Sequence, residues 1–212
     1  AALPPRAAGA AVVAPDQRAV AAVGTRPPVA TPVAELGAAL EMLDAVIRVR
    51  AEERRGGPAG RPLAPSLVEG SGGLEGAAAA HEGIPPLERY DGGGPLAAMI
   101  AMAGLGPAEA LVLVAAVAPF VDERFAAAYA TLTDRPGVTG LTGEVARTLA
   151  ARTLAGRLDV TALLSEAGTL RATGLLTLDP PDDLSGTLAP DPPLLAWLLG
   201  QPPPPPRVSS GF

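Results

Sequence analysis

Large apolar residues first fall into a regular pattern at Leu36, Leu40, Leu43 and Ile47, with Met42, Val46 and Val49 alongside. Intervals of three and four residues put such side chains on one face of a helix. Thr31 and Pro32 supply its start: threonine suits the N-cap, and proline suits the first helical position, where its missing N–H would have had no partner. Asp44 and Arg48 form an i,i+4 pair, and the helix runs out in Arg54 and Arg55 before Gly56-Gly57-Pro58. The pattern predicts an amphipathic helix over residues 31–55. Residues 1–30 are rich in Ala, Pro, Val and Gly without a lasting period, and they predict a disordered tail. Residues 56–94 are crowded with Gly and Pro and predict a linker, which carries His81 and the run Gly92-Gly93-Gly94. No strand precedes that run and Pro95 follows it, so it does not read as a phosphate-cradling loop.

The large apolar residues concentrate between residues 95 and 200. Pro95 opens a helix through Met99, Ile100 and Met102 to Gly104, and Pro107 opens a second, apolar nearly all round through Leu111, Leu113, Val114 and Val117. Pro119 is expected to end the second helix and Asp122 to cap a third, with Phe125, Tyr129 and Leu132 on one face. After the turn Asp134-Arg135-Pro136-Gly137, Thr142 caps a fourth helix through Val145, Leu149 and Ala150, and Asp159 is expected to cap a fifth through Leu163 and Leu164. The run 96–121 carries one charge, Glu109, but Gly104, Gly106 and Pro107 break it into halves too short to cross a bilayer, so two buried helices are expected. Then Leu175 to Asp179 is a short apolar-rich strand, Pro180 to Gly186 a turn, and Thr187 to Ala189 an antiparallel return. A two-stranded hairpin cannot stand alone and must pack on the helices. A short helix around Leu194, Trp197 and Leu198 follows, with Trp197 as its anchor on the hairpin. The expected fold is mainly α: a winged-helix-like domain over 95–200 with a C-terminal hairpin wing. Residues 201–212, with Pro202 to Pro206, read as a polyproline linker to a downstream module.

Composition narrows the chemistry. Of 212 residues, 48% are hydrophobic, yet 44 of these are Ala, so the large side chains suffice for one modest core. The chain has no Cys, no Lys, no Asn and one His, His81. Thiol nucleophiles, thiolate zinc sites, Schiff-base lysines and a P-loop lysine are thereby removed, and His81 lies in a Gly- and Ala-rich stretch with nothing rigid to position it. No catalytic, cofactor-binding or metal-binding constellation is legible. Net charge is −6, which argues against nucleic acid. No basic segment followed by an apolar run opens the chain, and together with the absence of Cys this suggests a cytoplasmic protein without a membrane partner.

Gly104-Leu105-Gly106-Pro107-Ala108-Glu109, the apolar stretch to Ala118-Pro119, Val121-Asp122-Glu123-Arg124-Phe125 and Ala128-Tyr129-Ala130-Thr131-Leu132 form one connected pattern. Gly174-Leu175-Leu176-Thr177-Leu178, then Leu184 and Leu188, then Pro193 to Leu198-Leu199-Gly200 continue it in order. The pattern resembles the N-terminal winged-helix region of AAA+ ATPases associated with phage-tail-like extracellular contractile injection systems. Gly106, Ala108, Thr131 and the short turn at Asp134 to Gly137 depart from that family's pattern. The resemblance implies an ATP-driven, ring-forming remodelling protein whose ATPase core would follow this chain, with ATP and Mg²⁺ as cofactors of that parent. It also implies homo-oligomerisation there and a protein partner or substrate. None of that family's ATPase residues can be placed on this sequence.

Two functions compete. One is a non-catalytic recognition or coupling module of such an ATPase, whose partner-binding residues the sequence leaves unknown. The alternative is a winged-helix DNA-binding regulatory domain, with Arg147, Arg152 and Arg157 facing DNA from the fourth and fifth helices and Arg171 beyond them. Residues 95–200 carry 6 Arg against 11 acidic residues, and the expected wing contributes Asp179, Asp182 and Asp183 to the acidic side, so charge favours the first.

Overall fold

The computed structural model describes residues 31–56, 83–181 and 183–201. Helix α1 spans Pro32–Gly56. Thr31 caps it as its sequence suggests, the hydroxyl accepting from the Ala34 N–H at 3.3 Å. Leu36, Leu43, Val46 and Ile47 are buried along one face, while Val49 is exposed. That face belongs to the same core as residues 95–200. Each fully buried leucine contributes about 1.5–3 kcal/mol of transfer free energy, so α1 is joined to the domain by several kcal/mol of apolar contact.

A 3₁₀ turn at Leu87–Tyr90 buries Tyr90. Helix α2 follows at Pro95–Ala103 and ends on Gly104 in the left-handed conformation. Helix α3, Pro107–Val121, is buried on every side from Ala108 to Ala118 and forms the centre of the domain. Among the described residues no helix is long and apolar enough to cross a membrane. Pro119 does not end α3, which continues two residues further. Proline lacks the N–H that would bond to the carbonyl four residues back, and that carbonyl, on Ala115, accepts from the buried Tyr129 hydroxyl at 2.8 Å. A side chain of the next helix thus replaces the missing backbone donor.

Helix α4 is Arg124–Thr133 with Glu123, not Asp122, at the N-cap position. Asp122 stands at the end of α3, and its carboxylate accepts from the Arg124 N–H at 2.9 Å. Strand β1, Leu141–Thr142, leads directly into helix α5, Gly143–Ala150, where the Thr142 hydroxyl accepts from Val145 as expected. Helix α6 is Leu154–Leu163 and is capped by Thr153 rather than Asp159, which lies inside the helix. Helix α7, Thr169–Ala172, precedes strands β2, Leu176–Asp179, and β3, Thr187–Pro190, and helix α8, Pro192–Leu198, closes the domain with Trp197 half-buried.

The expected hairpin is two thirds of an antiparallel sheet in the order β1-β3-β2. Leu188 of β3 is the register partner of both Leu141 and Leu178, so three leucines meet on the inward face while Thr177 and Asp179 point out. Past β2 the wing folds back: the Leu184 carbonyl accepts from the Glu144 N–H at 3.1 Å. A Cβ at Gly143 would stand 2.9 Å from that carbonyl oxygen, so glycine is needed where α5 begins. Helices α3 and α4, β1, the α5/α6 pair, and the β2–β3 hairpin make a mainly helical winged-helix fold. The tail 1–30, the polyproline 202–212, His81 and most of the Gly/Pro-rich segment lie outside the described residues.

Candidate functional site

Helix α1 meets the domain at both ends through charged side chains. At its first turn Glu35 is 5% exposed. Its Oε1 accepts from the N–H groups of Gly94 at 2.9 Å and Ala97 at 3.1 Å, and its Oε2 from Leu96 at 2.8 Å. Pro95 has no N–H, and Ala98 already bonds the Gly94 carbonyl, so the first turn of α2 is satisfied completely. The run Gly92-Gly93-Gly94 is the approach to this contact: a Cβ would come within 2.9 Å of the Glu35 side chain at Gly92 and 2.5 Å at Gly94. The glycine-rich loop does cradle an anion, and the anion is internal.

Toward the other end of α1, Arg50 and Arg54 stand one turn apart and meet α5 and α6. Arg50 is 4% exposed, donates from Nε to the Leu149 carbonyl at 3.1 Å, and pairs with Glu53 at 3.1 Å. Burial lowers its pKa from the ordinary guanidinium value, and the neighbouring charges of Arg152 and Arg157 act in the same direction against Glu53. Arg54 pairs with Asp134, Arg135 with Glu144, and Arg152 with Glu53. Two arginines remain. Arg147 and Arg157 pair with no carboxylate among the described residues, and the Arg147 Nε is buried without a hydrogen-bond partner. Both line a cleft of about 390 Å³ with Arg54, Arg135, Glu144 and Leu158. A second hollow of about 570 Å³ adjoins it, sharing Arg54 and Arg157 and adding Arg50, Glu53 and Arg152.

The three arginines singled out in the sequence therefore do gather, but in unequal roles. Arg152 is held by Glu53, while Arg147 and Arg157 keep unmatched charge. Arg171 is elsewhere, donating to the Leu164 carbonyl at 3.2 Å beyond the end of α6. Sequence reasoning missed Arg50, Arg54 and Arg135, which arrive from α1 and from the turn after α4. Nothing in their spacing relates them to α5 and α6.

The α5/α6 pair is the helix-turn-helix of the fold, and α6 stands where a recognition helix would. Its Gly156 and Val160 point inward. At about 100° per residue, Leu158 then lies at the middle of the outward face, with Arg157 and Asp159 on opposite flanks. Leu158 is 62% exposed and Leu154 40% exposed. On the Asp159 flank a hollow of about 440 Å³ is lined by Pro107, Ala108, Ala162, Leu163 and the buried Glu109. The Glu109 Oε2 accepts from Gly106 at 2.8 Å, and its Oε1 is unpartnered. In the wing, Asp179 and Asp183 are exposed, and hydrogen bonds from Ser185 lower the Asp183 pKa. Among the described residues no group of His, Asp and Glu is disposed to hold a metal ion.

A family model, described as a winged helix domain, variant, matches residues 13–211. No curated protein matches the chain. No solved structure matches it either.

Proposed function

We propose that this chain, which belongs to the winged helix domain (variant) family, is a non-catalytic module recognising a protein partner. One observation carries this reading: the recognition-helix position presents an apolar ridge, Leu154 and Leu158, where a DNA reader would present base-contacting polar side chains. The acidic wing supports it, since Asp179 and Asp183 would face phosphates with like charge. An exposed leucine pair rimmed by charged residues suits a protein interface.

The finer role, coupling a substrate or partner to an AAA+ motor of the contractile-injection type, rests on the resemblance of residues 104–132 and 174–200. In that role ATP, Mg²⁺ and ring assembly belong to the parent, the module works in the cytoplasm, and this chain contributes recognition. A DNA-binding regulator is the second reading, and the unpaired Arg147 and Arg157 favour it.

Fluorescence anisotropy of a labelled random-sequence duplex separates the two. The expected result is no binding above background at physiological salt. Tight, salt-sensitive binding that disappears in Arg147→Gln with Arg157→Gln would assign the domain to DNA.

A further inference from the structure

We infer that the cleft between α1, α5 and α6 receives carboxylate side chains of an acidic, leucine-bearing segment of the partner protein; this rests on the protein-recognition reading above. The cleft joins Arg54, Arg135, Arg147 and Arg157, of which only Arg54 and Arg135 have carboxylate partners among the described residues. In a chain of net charge −6, two arginines of one cleft without a carboxylate partner among the described residues are a local excess of positive charge. Their own fold gains nothing from that excess, because like charges repel and the buried Arg147 Nε lacks an acceptor. A carboxylate entering the cleft supplies the missing counter-charge, and guanidinium groups bind carboxylates through paired N–H donors.

Size and surroundings select a carboxylate side chain over a phosphate backbone. About 390 Å³ accommodates one or two side chains, and Glu144 on its rim repels an extended polyanion more than a single acid. Leu158 lines the same cleft and Leu154 stands one turn before it, so an apolar neighbour of the acid meets the ridge as the acid meets the arginines. Across the ridge, the hollow on the other flank is lined by Asp159, Glu109 and small or apolar residues and holds no arginine. The arginines thus stand along one edge of the ridge, and a bound segment carries its acids on the matching edge, which fixes its orientation on α6.

The test uses the full chain and two labelled helical peptides, one with leucines at i,i+4 flanked on one edge by glutamates, the other with those glutamates replaced by glutamine. The glutamate peptide is expected to bind, weakening with salt. Binding should fall about tenfold or more for the glutamine peptide and for Arg147→Gln with Arg157→Gln. Arg124→Gln, a change at an exposed arginine paired with Asp122, should bind normally. Equal binding of both peptides, glutamate-peptide binding untouched by the two arginine changes, or no binding would overturn the cleft assignment while leaving protein recognition standing. Displacement of the peptide by duplex DNA at physiological salt, dependent on the same arginines, would overturn both.

Discussion

The first turn of α1 and its C-terminal turns both bring charge against the domain, with opposite results. Near the start, one carboxylate meets three N–H groups and every donor in the first turn of α2 finds a partner. Toward the end, arginines of α1 meet arginines of α5 and α6, and two of them are left without a carboxylate among the described residues. Saturated buried charge fixes a fold, since removing any member leaves others unpaired. Unsaturated charge contributes little to the fold and is available to a ligand. At its start α1 closes a contact within the fold, while beside its end α5 and α6 leave charge that a partner can match.

The largest expected effect comes from breaking the saturated end. Glu35→Ala should cost about 3–5 kcal/mol, because it strips acceptors from three N–H groups at a buried helix terminus, read as a drop in the urea midpoint. Gly94→Ala should destabilise in the same direction through its clash with the Glu35 carboxylate. Next, Tyr129→Phe should cost about 1–3 kcal/mol, since it removes the donor that stands in for the N–H missing at Pro119. An unchanged midpoint would mean that water or a shifted helix satisfies the Ala115 carbonyl instead.

Alkaline pH has an effect of comparable size. Burial raises the Tyr90 phenol from its ordinary 10.0 to about 12, and raises Tyr129 further in the same direction. Above pH 10.0 the unfolded chain loses these protons while the folded chain keeps them, so stability falls as pH rises. The contribution from Tyr90 is complete below pH 10.0, declines by on the order of 1 kcal/mol near pH 11, and is gone as pH passes about 12. Unfolding midpoints between pH 9 and 12 should trace this decline, and a flat profile would show that the phenols are wetter than their burial implies.

Much of this architecture was legible in the sequence, because helical period, proline at helix starts and the Thr31 and Thr142 caps are local signals. The failures were also physical. Pro119 reads as a stop only if its orphaned carbonyl has no other donor, and Tyr129 supplies one from fourteen residues away. Asp159 and Thr153 both suit a cap, and only packing of the turn after α5 decides between them. Strand β1 is two residues long and becomes a strand only beside Leu188 and Thr187. At the candidate site, Arg147, Arg152 and Arg157 could be singled out from one stretch of sequence. The roles of Arg50, Arg54 and Arg135 could not, because long-range packing of α1 brings them there.

The smallest expected stability effect is also the most direct test of the contrast between the two ends of α1. The urea midpoint of Arg147→Gln with Arg157→Gln, which keeps most of each aliphatic stem and removes both charges, should stay within about 0.5 kcal/mol of the parent or rise. A fall approaching that of Glu35→Ala would contradict the account, because the cleft would then be holding the fold together.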